Sequence, residues 1–204
     1  MTKAVFLDRD GVINRKPDEG KYITRWEEFQ ILPGAVEAIA RLNRAGFSVV
    51  VVTNQRCIAK GLLTTAELEV LNQRIAAFLA HGGARIDAIY YCPHETEPAC
   101  RCRKPAPGML LDAAGERQID LRESWMIGDS DTDVEAGKNA GCKTARLSTE
   151  HERFLEAEQE QASLSRADIV APSLLEAVGQ ILQLEKTAPA TLGSGTLESS
   201  QANQ

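Results

Sequence analysis

Two aspartates near the start of the chain, Asp8 and Asp10, directly follow the apolar segment 4–7. Side chains two positions apart in an extended chain point to the same side, so both carboxylates are expected to converge where a buried strand opens into a loop. Two like charges at that distance either raise one pKa or recruit a cation. The pair therefore indicates a divalent metal site with chemistry at Asp8, although Asp-x-Asp also occurs in loops as a helix cap.

A second acidic cluster, residues 128–133, follows another apolar segment and places Asp129 at the equivalent strand end. Asp133 lies four residues further on, on the same face of a helix that begins there. These acids could instead cap that helix and complement its dipole, an interpretation we favour for Ser130 and Asp131. For Asp129 we predict ligation of Mg²⁺, which prefers carboxylate oxygens together with substrate phosphate and water.

Polar and basic residues at two further points could bind a phosphate. Thr53, Asn54 and Gln55 follow four consecutive valines. Hydroxyl and amide groups at a strand end can contact phosphate oxygens, although ordinary turn chemistry selects the same residue types. Arg103 and Lys104 supply positive charge, which near the carboxylates would stabilise a phosphoryl group in the transition state. In isolation, such a basic dipeptide is also typical of a solvated surface.

The most specific local signal is a set of three cysteines and one histidine within eleven positions: Cys92, His94, Cys100 and Cys102. Three thiolates and one imidazole suit a tetrahedral Zn²⁺. Four protein ligands leave no position for water, so we predict a structural zinc that clamps the loop ending at Arg103. The alternative is four unrelated residues in a reduced loop.

Composition limits the classes of function. The chain has 204 residues, of which 43% are hydrophobic and 25% charged, and a formal net charge of −6. An acidic chain without a Lys/Arg block argues against a nucleic-acid partner, and no apolar run reaches the roughly 20 residues of a membrane span. The first strand follows Met1 almost directly, so we expect no signal peptide and a cytoplasmic location. Thiols stay reduced there, which favours the cysteines as ligands and core residues.

The elements that must position these residues alternate between strands and helices. The strand candidates are 4–7, 48–52, 88–91, 124–127, 144–147 and 169–171, and the helix candidates are 34–45, 65–80, 107–118, 132–140 and 174–185. This alternation predicts an α/β fold with a mainly parallel sheet, in which ligands bind beyond the carboxyl ends of the strands. Residues 149–166 are polar and helix-prone. We expect residues 1–186 to form one domain and residues 187–204 to be a disordered tail.

Together these residues resemble the haloacid dehalogenase-like phosphatase superfamily over nearly the whole chain to about residue 185. Residues 8–12 look like its first motif, Thr53 its second, Lys104 its third, and residues 128–129 with Asp133 its fourth. The resemblance implies a Rossmann-like three-layer sandwich with a minimal cap, a zinc-binding loop insertion and a requirement for Mg²⁺.

The resemblance also implies roles for individual residues. Asp8 would be the nucleophile that forms an aspartyl-phosphate, and Asp10 would first protonate the leaving oxygen and then activate water. Mg²⁺ would be held by Asp8, Asp129 and the backbone carbonyl of Asp10. The predicted phosphate- and substrate-binding residues are Thr53, Asn54, Gln55, Arg56, Arg103, Lys104, Ser130, Glu19, Gly20, Lys21 and Tyr22.

The Cys-Pro-His loop narrows the resemblance to a branch containing heptose bisphosphate phosphatases and histidinol-phosphate phosphatases. Residues 53–61 and 104–110 are similar to the heptose group, with Cys57 in place of Gly and Lys60 in place of Arg. We therefore expect a monomeric enzyme acting on a small sugar phosphate, with histidinol phosphate as the alternative substrate. A zinc-clamped binding protein without catalysis would lack a motif residue, whereas all of them are present.

Overall fold

Among the residues that the structure describes, six parallel strands form one sheet. The computed structural model describes residues 1–148 and 167–187. The strands are β1 (Ala4–Leu7), β2 (Ser48–Asn54), β3 (Ala88–Cys92), β4 (Trp125–Gly128), β5 (Lys143–Leu147) and β6 (Ile169–Ala171). They lie side by side in the order β3-β2-β1-β4-β5-β6. The predictions for residues 149–166 and for the tail beyond Thr187 lie outside the described residues, and the domain boundary at residue 186 stays a prediction.

Five α-helices cover both faces of this sheet within the described ranges. They are α1 (Ala35–Arg44), α2 (Thr65–His81), α3 (Gly108–Arg117), α4 (Asp131–Ala140) and α5 (Leu174–Thr187). Buried residues of α1, α2 and α5 share one core with one face of the sheet, whereas those of α3 and α4 share a second core with the other face. The predicted three-layer α/β sandwich is therefore confirmed.

The central strand β1 shows why the sequence selects this architecture. All four of its side chains are fully buried. Val5 and Leu7 belong to the first core, and Ala4 and Phe6 to the second. A strand covered on both faces must be apolar at every position, since each fully buried Leu or Phe contributes roughly 1.5–3 kcal/mol by leaving water. The uninterrupted apolar run before Asp8 therefore marks the middle of the sheet.

The strand order determines where a ligand can bind. β1 pairs with β2 on one side and with β4 on the other. The chain therefore adds β2 and β3 on one side of β1 and then returns to add β4, β5 and β6 on the other side. A crevice opens beyond the carboxyl ends of the strands at such a reversal. Asp8, Asn54 and Asp129 lie at or directly after the ends of β1, β2 and β4. No helix among the described residues is long and apolar enough to cross a lipid bilayer.

Candidate active site

Three carboxylates converge at the carboxyl ends of the central strands. One oxygen each of Asp8, Asp129 and Asp133 lies within 4.8 Å of the others. Gly11 makes this approach possible, since its φ is +91° and a Cβ there would lie 2.3 Å from Asp129 Oδ2. Gly128 does the same for Asp133, whose Cβ would lie 2.1 Å from an added Cβ. The glycines of the first and fourth motifs thus allow their acids to come together.

A buried lysine holds the carboxylates. Lys104 Nζ lies 2.8 Å from Asp8 Oδ1 and 2.6 Å from Asp133 Oδ1. It also donates to the carbonyl oxygen of Val52 at 2.9 Å. The side chains of Lys104 and Asp133 are 2% and 1% exposed, so these ion pairs are shielded from solvent. The lysine therefore joins the ends of β1 and β2 to the first turn of α4 as one electrostatic unit.

Burial controls the charges of this unit. Desolvation raises the pKa of Asp8 to about 7, although Lys104 opposes that shift and Asp133 adds to it. Burial disfavours the charge of Lys104 as well, but Asp8 and Asp133 together raise its pKa above the ordinary value. The pKa of Asp129 is also raised by burial, against the effect of Lys16. The site therefore holds more negative charge than its own cations neutralise well.

This excess of carboxylate fits a hard divalent cation. Asp8 and Asp129 keep 13% and 16% of their side chains exposed, so both can reach an ion from the crevice. Mg²⁺ commonly takes one or two protein carboxylates and completes its shell with phosphate and water. Both oxygens of the Asp133 carboxylate already have partners: Oδ1 contacts the ammonium of Lys104, and Oδ2 accepts from the N–H of Ser130. Asp8 and Asp129 are therefore the suitable side-chain ligands, and ligation by the Asp10 carbonyl stays a prediction.

The second aspartate of the first motif has a different environment. Asp10 accepts hydrogen bonds from Arg9, from Asn14 at 2.9 Å and from Gln55 at 3.1 Å. Burial alone would raise the pKa of Asp10, but the Arg9 guanidinium and these donors lower it. The structure thus favours an ionised Asp10, which suits a base that activates water. The predicted acid step needs a proton on Asp10, which a phosphate dianion beside it would favour.

The polar residues at the carboxyl end of β2 either face the cavity or support the residues that do. Thr53 is buried, and its hydroxyl accepts a hydrogen bond from Gln55 at 3.0 Å. Gln55 therefore links Thr53 to Asp10 through one amide. Asn54 pairs with the backbone of Lys104, accepting from its N–H at 3.1 Å and donating to its carbonyl at 3.2 Å. These contacts use both ends of the Asn54 amide, so it positions Lys104.

Ser130 begins α4 as its N-cap. Its backbone N–H donates to Asp133 Oδ2 at 3.1 Å, and its hydroxyl donates to the same oxygen. The predicted capping role is thus present, and Ser130 also borders the crevice. Asp131, the other residue expected to act at the helix start, pairs with Arg146 at 3.1 Å. Asp133 consequently has two functions, as it anchors both Lys104 and the start of the helix.

A cavity of about 380 Å³ lies above the carboxylates. The predicted loop residues Glu19, Gly20, Lys21 and Tyr22 line it, together with Arg56 and the strand-end residues. Arg103 is not among the lining residues, and its guanidinium donates to the carbonyl of His94 at 3.3 Å. Sequence reasoning missed Lys16, whose Nζ lies 2.6 Å from Asp129 Oδ2. Lys16 lies in the loop after β1 and outside the motifs recognised in the sequence, so no sequence spacing pointed to it.

The predicted zinc ligands form a separate cluster after β3. Cys92 Sγ and Cys100 Sγ are 3.6 Å apart, Cys100 Sγ and Cys102 Sγ 3.5 Å, and His94 Nδ1 and Cys102 Sγ 3.2 Å. A tetrahedral Zn²⁺ with Zn–S bonds of about 2.3 Å separates neighbouring ligand atoms by roughly 3.5–3.8 Å. Burial and neighbouring thiols raise the pKa of Cys102 to about 12, so the three thiols do not ionise together without a cation. This donor set fits zinc.

The pKa of Asp8 predicts how stability depends on pH in Mg²⁺-free buffer. A folded-state pKa of about 7 against an ordinary value of 3.8 means that the native state retains a proton that the unfolded chain has released. This stabilising contribution is fully present below about pH 4 and is lost as the pH rises through 7. Asp10 is ionised throughout pH 5–7 because its pKa is lowered, so it does not offset the effect.

We therefore expect the free energy of urea unfolding to fall by roughly 1 kcal/mol per pH unit between pH 5 and 7. Asp8→Asn should remove the contribution of Asp8 and leave that of Asp129, whose pKa burial also raises, and saturating Mg²⁺ should reduce the slope in the wild type. A slope that is unchanged in Asp8→Asn would contradict the assignment to Asp8.

The fold and the site define a class of protein: a phosphatase with an aspartate at the end of its first strand, supported by a buried lysine and an acidic fourth motif. A family model described as HAD-hydrolase-like matches residues 101–177. A curated relative from Pseudomonas putida, named D-glycero-beta-D-manno-heptose-1,7-bisphosphate 7-phosphatase, is 42% identical over 83% of this chain and 96% of its own length. A relative of the same name from Escherichia coli K12 is 42% identical over 71% of this chain and 78% of its own length.

A solved structure agrees with these relatives. The crystal structure of D,D-heptose 1,7-bisphosphate phosphatase from B. bronchiseptica, complexed with magnesium and phosphate, is 38% identical and has a TM-score of 0.79. The match covers 90% of this chain and 99% of that protein. The chain belongs to the haloacid dehalogenase-like hydrolases and, within them, to the family of these phosphatases. It is accordingly a phosphoric monoester hydrolase.

Proposed function

We propose that the protein removes the 7-phosphate of D-glycero-D-manno-heptose 1,7-bisphosphate with the help of Mg²⁺. The observation that carries the proposal is the 42% identity over 83% of the chain to a relative named for this activity. Every group that the reaction needs lies in or beneath one cavity: Asp8, Asp10, Thr53, Lys104 and Asp129. Histidinol phosphate is the less favoured substrate, since the named relatives act on the heptose.

The proposed reaction begins with in-line attack of Asp8 on phosphorus, which produces an aspartyl-phosphate on that side chain. Lys104 stabilises the charge of the transferring phosphoryl group, and Thr53 binds one of its oxygens. Asp10, protonated while the phosphate dianion is present, donates to the leaving sugar oxygen. Once ionised by that transfer, and held by Arg9 and Gln55, it accepts a proton from the water that hydrolyses the intermediate.

Asp8 and Asp129 would hold the catalytic Mg²⁺, with the Asp10 carbonyl as the proposed third protein ligand. When bound, the ion neutralises phosphate charge and aligns the attack. The Cys₃His cluster would hold a structural Zn²⁺. Cys92 ends β3, and Lys104 follows Cys102 by two residues, so this cluster limits the movement of the segment that delivers the buried lysine. We expect the enzyme to act as a monomer in the cytoplasm.

The zinc proposal makes a direct prediction. The purified protein should contain about one zinc per chain by elemental analysis and should retain it after Mg²⁺ is removed by dialysis. Cys102→Ala should lose the zinc and, because the loop then moves freely, lose about 10-fold or more in kcat, as expected for groups that orient an active site.

Cys142→Ala is the matched control. Cys142 is buried among apolar residues of the second core, and burial raises the pKa of its thiol to about 12. This variant should keep its zinc. Wild-type protein without zinc, or Cys102→Ala with a full complement of it, would refute the cluster as a zinc site.

The substrate is tested by phosphate release with Mg²⁺ across a panel. The panel should contain both anomers of heptose 1,7-bisphosphate, histidinol phosphate and a 3′-phosphorylated oligonucleotide. We expect the highest kcat/KM for one of the heptose bisphosphates. Fastest release from histidinol phosphate would replace the proposed substrate with the alternative.

A further inference from the structure

Arg56 occupies a distinctive place at the rim of the active-site cavity. It directly follows the strand-end residues 53–55 and lines the same cavity as Asp8 and Lys104. Its side chain is 32% exposed, so it is partly packed and still open to the crevice. An arginine here is therefore fixed well enough to select a ligand and open enough to reach one.

The contacts of Arg56 hold one edge of its guanidinium. Nε donates to the hydroxyl of Tyr22 at 3.0 Å and lies 3.5 Å from Glu95 Oε2. Tyr22 belongs to the β1–α1 loop, and Glu95 follows the proposed zinc ligand His94. Neither terminal amino group of Arg56 has a hydrogen-bond partner within the described ranges 1–148 and 167–187. The fork of N–H donors that binds phosphate in a bidentate manner is thus unused.

The other cations of the cavity are lysines, and their carboxylate partners lie closer than that of Arg56. Lys104 is buried between two carboxylates at 2.8 and 2.6 Å. Lys16 contacts Asp129 at 2.6 Å, and Lys21 contacts Asp18 at 2.9 Å. The contact of Arg56 with Glu95, at 3.5 Å, is the longest of these ion pairs. A second dianion entering the cavity would therefore replace Glu95 at Arg56 at a smaller electrostatic cost than it would replace the buried carboxylates at Lys104. Lys21, whose pair with Asp18 is exposed to solvent, offers a single ammonium and not the planar fork that binds phosphate in a bidentate manner.

We infer that Arg56, oriented by Tyr22, binds the phosphate that remains on the sugar and so selects bisphosphate over monophosphate substrates. The inference rests on the proposed function, because a sugar bisphosphate brings two dianions and the buried site receives only one. Tyr22 holds Nε, which leaves the two terminal amino groups available to the ligand. Arg56 is thus a specificity-determining residue that acts on binding and takes no part in the chemistry at Asp8.

The test is steady-state kinetics on heptose 1,7-bisphosphate and on heptose 7-phosphate, which lacks the second phosphate. Arg56→Ala should lower kcat/KM for the bisphosphate about 10- to 100-fold, mainly by raising KM, since a charged hydrogen-bonded contact is lost. The value for the monophosphate should change by less than about 3-fold, as it lacks the partner group. Arg56→Lys should recover part of the loss, and Tyr22→Phe should raise KM for the bisphosphate about 3-fold.

Arg122→Ala is the matched control, since Arg122 is 87% exposed and pairs with Asp120 outside the cavity. Its kinetics should equal those of the wild type on both substrates. Equal losses on both substrates in Arg56→Ala, or no loss on either, would overturn the inference and leave the proposed function intact. If the wild type hydrolyses neither heptose phosphate, the proposed function fails and the inference fails with it.

Discussion

Asp8→Asn is expected to reduce kcat by at least about 10⁴-fold while the protein stays folded. An amide of the same size cannot form the acyl-phosphate bond that the carboxylate forms, and loss of a covalent nucleophile removes the catalysed route. A factor of 10⁴ corresponds to about 5.5 kcal/mol of barrier. The fold should survive because the substitution removes a carboxylate whose pKa burial raises to about 7, which makes its ionised form costly.

The measurement combines phosphate release with thermal unfolding and with acid-quenched labelling from a ³²P-substrate. Wild-type protein should carry label on Asp8 during turnover, and Asp8→Asn should carry none. Asp112→Asn is the matched control, since Asp112 lies on α3 and pairs with Arg101 at 3.0 Å away from the cavity lining. Asp8→Asn turnover within about 10-fold of wild type would reject Asp8 as the nucleophile.

The sheet could be predicted because its central strands are apolar at every position. The runs that contain Phe6, Val50 and Met126 are buried on both faces, so hydrophobicity alone marks them. Predicted strand and helix ends agree with the observed ones to within two residues. The largest difference among the strands is in β2, which runs on through Thr53 and Asn54 because these residues pair with β3.

The contacts within the site could not be predicted in the same way. Lys104 reaches Asp8 and Asp133 across 96 and 29 positions of sequence, and residue type alone does not say that both carboxylates share one ammonium. Asn54 is a similar case, since an amide at a strand end suits a phosphate or a backbone equally well. In the structure, the Asn54 amide hydrogen-bonds the backbone of Lys104. Side-chain direction, which depends on tertiary packing, decides each of these outcomes.

Lys104→Met is expected to lower kcat at least about 10³-fold and to destabilise the protein by about 3–5 kcal/mol at pH 8. The ammonium of Lys104 contributes to both kcat and stability, because it stabilises phosphoryl charge and neutralises two carboxylates that are almost fully buried. Methionine keeps most of the side-chain volume, so a cavity does not explain the loss. Urea unfolding and phosphate release measure the two effects separately.

The partners of Lys104 supply the control that separates electrostatics from packing. In Lys104→Met the remaining carboxylates can take up a proton, so the variant should recover stability at pH 5, where a packing defect would persist.

The double variant Asp8→Asn/Lys104→Met should be more stable than Lys104→Met alone at pH 8, since one unpaired buried charge is gone and the two sites are coupled. Lys186→Met, at an exposed position of α5, should leave stability and turnover unchanged. Additive losses in the double variant would mean that Lys104 and Asp8 act independently, against the 2.8 Å ion pair on which the proposed mechanism depends.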